Sequence, residues 1–356
     1  MIKISEHNII EIMATSPSLI PYGVKMIGAE LEWSETQGHG VKVAVLDTGR
    51  PTHPDIRVVQ AVDFTGTGVT DWNGHATHVC GTIAADGKIL GVAPKCDLYT
   101  LKVINDNGIG SYEWTTDAIW WCIHNNIDVI NMSLGGCEPM NDDLHLALKT
   151  AKAKGIILVA AAGNTGNLPS GLSSVTYPAA YPECIATAAV DIEKQWPIFS
   201  STGMEVDLAA AGVEIHSTHL AGQYVKLSGT SMACPHIAGA AALIIAKARI
   251  RKKPIDADKI YYAMQIYAED LGSEGRDDLF GFGVFSFGRL MKPDNIPINL
   301  RFRIGHAAYT KNGLPQAAFI APRLFNGRAM IGLRDVGEAL DCKVTWVDPD
   351  VILIDR

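Results

Sequence analysis

From residue 41 onward, short uninterrupted apolar runs alternate with stretches of helical periodicity. Val41–Asp47, Asp97–Ile104, Ile127–Ser133, Ile156–Ala162 and Ile185–Val190 are rich in aliphatic side chains and end in turn or polar residues, as strands buried on both faces do. Between them, His75–Ala85, Tyr112–Asn126 and Asn141–Lys154 carry apolar residues at helical spacing. Strands alternating with helices predict an α/β fold, a doubly wound parallel sheet with helices on both faces. In such sheets the functional crevice lies beyond the carboxyl ends of the strands. Asp47, Ser133 and Asn164 close or follow these runs, so a site is expected among them.

The longest apolar helical pattern opens with Gly229-Thr230-Ser231-Met232-Ala233-Cys234-Pro235-His236 and continues through the small residues Ile237–Ala246. A serine at a helix start meets free backbone N–H groups and the positive end of the helix dipole, which favour negative charge. Taken alone, the same stretch is a capped, buried helix. The cations Lys247, Arg249, Arg251, Lys252 and Lys253 run up to Pro254, where they complement a helix C-terminus.

Length and composition narrow the field. A chain of 356 residues suffices for one large α/β domain plus a small one. Hydrophobic content of 47% with 34 glycines describes a well-buried globular protein. A net charge of −8 argues against a nucleic-acid or anionic-membrane partner. No stretch approaches the roughly 18 uninterrupted apolar residues of a membrane span. Met1–His7 lacks the basic, apolar and small-residue regions of a secretory signal. The 7 cysteines show no Cys-x-x-Cys spacing, so they are expected to be reduced and mostly buried, and the chain cytoplasmic.

After Pro293 the pattern changes to short strand-like runs: Asn299–Ile304, Ala317–Ile320, Lys343–Val347 and Val351–Ile354, with a turn at Asn326-Gly327 and a helical Arg334–Leu340. Three regions are therefore expected: an N-terminal extension over 1–27, a main domain over 28–292 and a small β-rich α+β domain over 297–356.

Asp47 before Thr48-Gly49, His75 opening a helix of small residues, and Ser231 opening another belong together chemically. Serine is a poor nucleophile at neutral pH unless a base takes its proton, and imidazole suits that task. The imidazole in turn needs a carboxylate on its other nitrogen to fix the tautomer. Separately these are a turn residue, a helix-start histidine and a helix cap. In the order Asp, His, Ser they form one of three attested orders of a catalytic triad.

On Val45-Leu46-Asp47-Thr48-Gly49, Asn73-Gly74-His75 through Ala85, and Gly229 through Ala240, the chain resembles the subtilisin family of serine proteases over about residues 24–292. The resemblance implies Asp47, His75 and Ser231 as the triad, with His78 internal to its helix. Ala76 stands where the family usually has glycine, and Cys80 and Cys234 replace small residues as buried packers. Ala161-Ala162-Gly163-Asn164 is similar to the family's oxyanion motif, which makes Asn164 the second oxyanion donor. Ser133, Leu134 and Gly135 resemble one wall of the first specificity pocket, with Gly163 nearby. Gly108, Ile109 and Gly110, with Tyr112 beyond, resemble the opposite substrate edge. Glycines there let an extended protein or peptide substrate add as a strand, and the implied side-chain pockets are roomy and apolar. Tyr177-Pro178 matches a position where the family's peptide bond is cis.

Further implications concern control and ions. Leu19-Ile20-Pro21-Tyr22 is similar to the inhibitory segment of intracellular subtilisins, which crosses the cleft, so the extension is expected to hold the enzyme latent. Asp55 matches a calcium ligand, but the loop Asp86–Leu90 is short and carries Lys88, so that site is expected to be lost. Glu205 and Asp207, with carbonyls near Ala179 and Tyr181, match a weaker site for calcium or another cation; the chemistry itself requires no cofactor. The tail resembles the stalk-type domain related to the copper amine oxidase N-terminal domain, on Phe325–Arg328, Gly332–Leu340 and Lys343–Trp346. That module binds no copper and implies docking to a partner, a substrate or a sister subunit, the last giving a homodimer. The alternative function is a subtilisin-fold scaffold, weak in catalysis, that works through the tail.

Overall fold

The computed structural model describes residues 2–3, 19–136, 141–168, 172–253 and 256–290, and beyond them a set of short strands between 300 and 355. A two-residue strand β1 (Ile2–Lys3) and a short helix α1 (Tyr22–Ile27) come first. The chain then runs β2 (Lys42–Asp47), β3 (Val58–Asp63), α2 (His75–Ala84), β4 (Asp97–Lys102), β5 (Ile109–Gly110), α3 (Tyr112–His124), β6 (Val129–Met132), α4 (Asp142–Ala153), β7 (Ile157–Ala161) and β8 (Ile185–Val190). Next come β9 (Val206–Ala211), β10 (Ile215–Thr218), β11 (Tyr224–Leu227), α5 (Thr230–Ile250), α6 (Ala257–Ile266), β12 (Ala268–Glu269), β13 (Val284–Phe285) and α7 (Phe287–Leu290).

The main sheet has nine strands in the order β12-β13-β9-β8-β7-β6-β2-β4-β3. Every neighbouring pair from β13 to β3 is parallel; only β12 runs against its neighbour. Strand order reverses direction beside β2 and β6, so the crevice of such a sheet opens at their carboxyl ends, where Asp47 and Ser133 lie. Several strands were not evident from pattern. The edge strand β3 is partly exposed and lacks clean alternation, and the alanine-rich β9 is drawn into the sheet by complete burial. The hairpin of β10 and β11 lies outside the main sheet.

Helix α5 is the core of the molecule. Seventeen of its 21 residues are buried, so it is apolar nearly all round and packs against β6, β7, β8, β9 and α2. By length and hydropathy it could cross a membrane, but here it is sheathed by protein. Burial pushes His236 down to about 4, and its neutral ring donates from Nδ1 to the Met232 carbonyl at 2.9 Å. Gly23 of α1 lies directly on that ring. A Cβ at Gly23 would come within 2.3 Å of His236 Nε2. The Tyr177–Pro178 bond is cis.

The chain divides into two compact units, Met1–Met291 and Lys292–Arg356. In the second, β14 (Leu300–Phe302), β15 (Ala308–Lys311) and β16 (Leu314–Ala317) form an antiparallel sheet. Two hairpins follow, β17 (Arg323–Phe325) with β18 (Arg328–Met330), and β19 (Lys343–Asp348) with β20 (Val351–Asp355). The first hairpin brackets the expected Asn326-Gly327 turn. The helix expected at Arg334–Leu340 lies outside the described residues.

Candidate active site

Asp47 is the last residue of β2, and its Oδ1 accepts the Thr48 backbone N–H at 2.7 Å. His75 is the first residue of α2, after Gly74 in a left-handed conformation (φ 96°). Its Nδ1 lies 2.8 and 2.9 Å from the two Asp47 oxygens, with both side chains buried. A carboxylate only accepts, so Nδ1 carries the proton and Nε2 is the nitrogen left to take one. The start of α2 is held by a residue the sequence did not single out. Buried Asp71 accepts from Thr48 Oγ1 (2.9 Å), Gly74 N (2.9 Å), Thr77 N (2.8 Å) and Thr77 Oγ1 (2.6 Å). Thr48 Oγ1 in turn accepts from Ala76 N at 3.0 Å. These bonds satisfy helix-start donors and fix where His75 points. An acid shortly before an apolar helix is a capping signal, so Asp71 was readable in principle. Ala76 is fully buried within this arrangement.

Ser231 is the second residue of α5, 5% exposed, and α5 packs against α2. Its Oγ donates to the Ser133 carbonyl at 3.2 Å. Pro235 has no N–H to offer the Ser231 carbonyl one helical turn back. Ser133 Oγ fills that role, donating to Ser231 O at 2.9 Å. Asn131 Nδ2 supports Ser133 Oγ at 3.0 Å, and the Cys234 thiol lies 3.2 Å from Asn131 Oδ1. Burial pushes that thiol up to about 12, and Cys80 is raised for the same reason, so both are packers rather than nucleophiles.

Asn164 follows β7, and its orientation is set by α5. Its Oδ1 accepts from both Thr230 N and Thr230 Oγ1 at 2.9 Å. A backbone N–H can only donate, so this fixes which end of the amide is oxygen and leaves Nδ2 as the end not bound to Thr230. A Cβ added at Gly229 would lie 3.1 Å from that Nδ2. The Thr230 hydroxyl also accepts from Gly163 N at 3.1 Å, tying the segment before Asn164 to the helix start. Asn164 and the start of α5 are thus tied together through Thr230, next in the chain to Ser231.

The expected substrate edges are built as follows. Ile109 and Gly110 form β5, with Gly108 in a left-handed turn before it (φ 74°) and Ile109 partly exposed. Tyr112 opens α3, capped by Ser111 Oγ on Trp114 N. Leu134 is buried, and Gly136 bridges to Tyr177 in antiparallel fashion. Gly135 and Gly163 both lie against the Thr176 side chain.

Leu19, Ile20, Pro21 and Tyr22 are not brought to this cleft. Leu19 N donates to Lys88 O at 2.8 Å, and Leu90 N returns a bond to Leu19 O at 3.1 Å. Ile20 packs on the main core, Pro21 precedes α1, and the Tyr22 phenol donates to Val213 O. Proline before a helix start and an apolar flank make this segment part of the folded body. The residues that do reach the substrate edge are Ile2 and Lys3. They pair antiparallel with Gly110 and Ile109.

The cation ligands also separate. Asp55 Oδ2 accepts from Lys88 N (2.8 Å), Ile89 N (3.3 Å) and Tyr224 OH (2.8 Å). A Cβ on Gly87 would come within 2.3 Å of its Oδ1, so the short loop closes directly on the carboxylate. Asp207 is buried and held by Ala186 N, the Tyr261 phenol and Arg276 Nη2 at 3.1 Å; burial raises its carboxyl. Glu205 instead accepts from Ser173 Oγ at 2.6 Å. The expected cation site at Glu205 and Asp207 does not fit, since protein donors and a guanidinium occupy Asp207 while Glu205 faces elsewhere.

The comparisons with known proteins agree with this geometry. The pattern of the subtilase family matches residues 38–283. The chain is 45% identical over 237 residues to an intracellular serine protease of Paenibacillus polymyxa, covering 63% of this chain and 72% of that protein. It is 41% identical over 281 residues to a thermostable alkaline protease of Halalkalibacterium halodurans, covering 77% and 74%. It is 45% identical over 235 residues to subtilisin DY of Bacillus licheniformis, covering 64% and 85%. The matched span ends before the second unit. Between residues 38 and 283 this chain belongs to the subtilase family, and it is a serine endopeptidase.

Proposed function

We propose that the chain cleaves peptide bonds through Asp47, His75 and Ser231 by way of an acyl-enzyme. Ser231 Oγ attacks the carbonyl carbon while His75 Nε2 takes its proton and Asp47 stabilises the imidazolium. The Ser231 N–H and Asn164 Nδ2 hold the tetrahedral oxyanion. His75 then protonates the leaving amine, and water releases the acyl group by the same steps. The observation that carries this reading is the bond from buried His75 Nδ1 to both Asp47 oxygens at 2.8 and 2.9 Å. The substrate is a protein or peptide that adds as a strand to the β5 edge. The similarity to an intracellular serine protease supports a cytoplasmic role.

Latency is part of the same proposal, with a different segment in charge. A substrate strand on β5 needs the backbone groups of Ile109 and Gly110 that Ile2 and Lys3 already engage. Ile2 and Lys3 therefore compete with substrate, while Leu19–Tyr22 packs on the body. The tail's resemblance supports a docking role for the second unit. The test compares initial rates on casein for the full chain and a chain lacking residues 1–18. The full chain is expected to show a lag that shortens when trimmed enzyme is added, with cleavage mapped before Leu19. Equal initial rates would sink the latency mechanism.

A further inference from the structure

We infer that Thr176 is a specificity-determining residue, which shortens the pocket beside Ser231 so that the residue on the acyl side of the cleaved bond must be small. The inference rests on the protease reading above. Two backbone segments leave the nucleophile. One runs from Ser133, whose carbonyl accepts from Ser231 Oγ, through Leu134 and Gly135 to Gly136. The other is Ala162-Gly163, just before Asn164 and tied to Thr230. A peptide with its carbonyl carbon at Ser231 and its oxygen at Asn164 has its adjoining side chain directed between these segments.

A third segment closes the far end. Thr176 N donates to Ala162 O at 2.9 Å, while Gly136 N donates to Tyr177 O at 2.9 Å and Tyr177 N to Gly136 O at 3.1 Å. Residues 176 and 177 therefore bridge both walls through backbone bonds. The Thr176 side chain fills the space that the wall glycines leave. A Cβ at Gly135 would meet Thr176 Oγ1 at 2.3 Å, and one at Gly163 would meet Thr176 Cγ2 at 3.0 Å and Oγ1 at 3.1 Å. The two glycines thus make room for this threonine rather than for a large substrate ring.

The side chain cannot readily swing aside. It is 8% exposed, branched at Cβ, pinned by backbone bonds on either side, and its hydroxyl donates to Ala162 O at 3.3 Å. A methyl and a hydroxyl remain at the pocket's end. On this inference an aromatic ring meets the Thr176 side chain between Gly135 and Gly163, whereas alanine is too short to reach it.

The test uses tetrapeptide anilides that differ only in the acyl-side residue, with alanine, leucine or phenylalanine there. The active enzyme is expected to favour alanine over phenylalanine by about tenfold or more in kcat/KM, the scale at which pocket volume discriminates. Thr176→Gly is expected to raise the phenylalanine-to-alanine ratio by about tenfold or more, and Thr176→Ser to raise it less. Thr176→Val, equal in size without the hydroxyl, should keep the parent ratio and so separate volume from polarity. Phenylalanine cleaved as well as alanine by the parent, or a ratio unmoved in both smaller variants, overturns this inference while leaving the protease reading intact. Failure to turn over any of the three peptides overturns both.

Discussion

Ser231→Ala is expected to lower kcat by about 10⁶-fold on any peptide substrate while KM changes little, the scale of loss known for a subtilisin nucleophile. The size follows from what remains. The variant keeps Asn164 Nδ2, the helix-start N–H and the β5 edge, so substrate binds and its oxyanion site persists. The covalent route is lost, and only slow attack by water is left. Folding should be little disturbed. Among the described residues the Ser231 hydroxyl bonds to Ser133 O, whereas the bond that replaces Pro235's missing N–H runs from Ser133 Oγ to the Ser231 carbonyl and survives. Steady-state kinetics beside a thermal unfolding curve checks both halves. A loss of only a few-fold would remove Ser231 from the chemistry.

Asp47→Asn is expected to cost about 10⁴-fold in kcat near neutral pH, for a reason that geometry makes specific. The two Asp47 oxygens both face His75 Nδ1, and Oδ1 also accepts from Thr48 N. With Thr48 N holding the amide oxygen, an asparagine turns its NH₂ toward Nδ1. The imidazole then accepts at Nδ1 and carries its proton on Nε2, the tautomer that cannot take a proton from serine. The shape is preserved, so thermal stability should fall far less than activity. A variant retaining more than about a tenth of the parent kcat would contradict Asp47 as the orienting group.

The sheet and the Asp47–His75 pair were legible in the sequence because each depends on local pattern. Buried parallel strands are continuous apolar runs; Asp47 closes one of them, while His75 and Ser231 sit at helix starts. What failed to show were features set by distant partners. Asp71 is readable as a capping acid, but its link across to Thr48, which ties the start of α2 to the end of β2, is not. Strand β9 is alanine-rich and gains its identity from neighbours β8 and β13. Thr176 closes a pocket that its own sequence context presents as an ordinary stretch before Tyr177-Pro178.

Control was misjudged for a related reason. Leu19–Tyr22 has the apolar, proline-containing character of a cleft-binding strand, but that character equally suits a segment packed on a core before a helix. Contacts with Ile89, Val213 and the main core decide for the body. Glu205 and Asp207 likewise sit two apart, yet Arg276 and Tyr261 bind one of them and Ser173 the other. Spacing along a chain fixes which residues are near; only the fold says which way they face.

The most direct test of the central claim is the site of covalent modification by a fluorophosphonate, read by intact mass and peptide mapping on the N-terminally trimmed enzyme. The account predicts one adduct per chain, on Ser231, absent from Ser231→Ala and formed far more slowly in Asp47→Asn. An enzyme that cleaves peptides yet carries no adduct, or carries it on another residue, would contradict it.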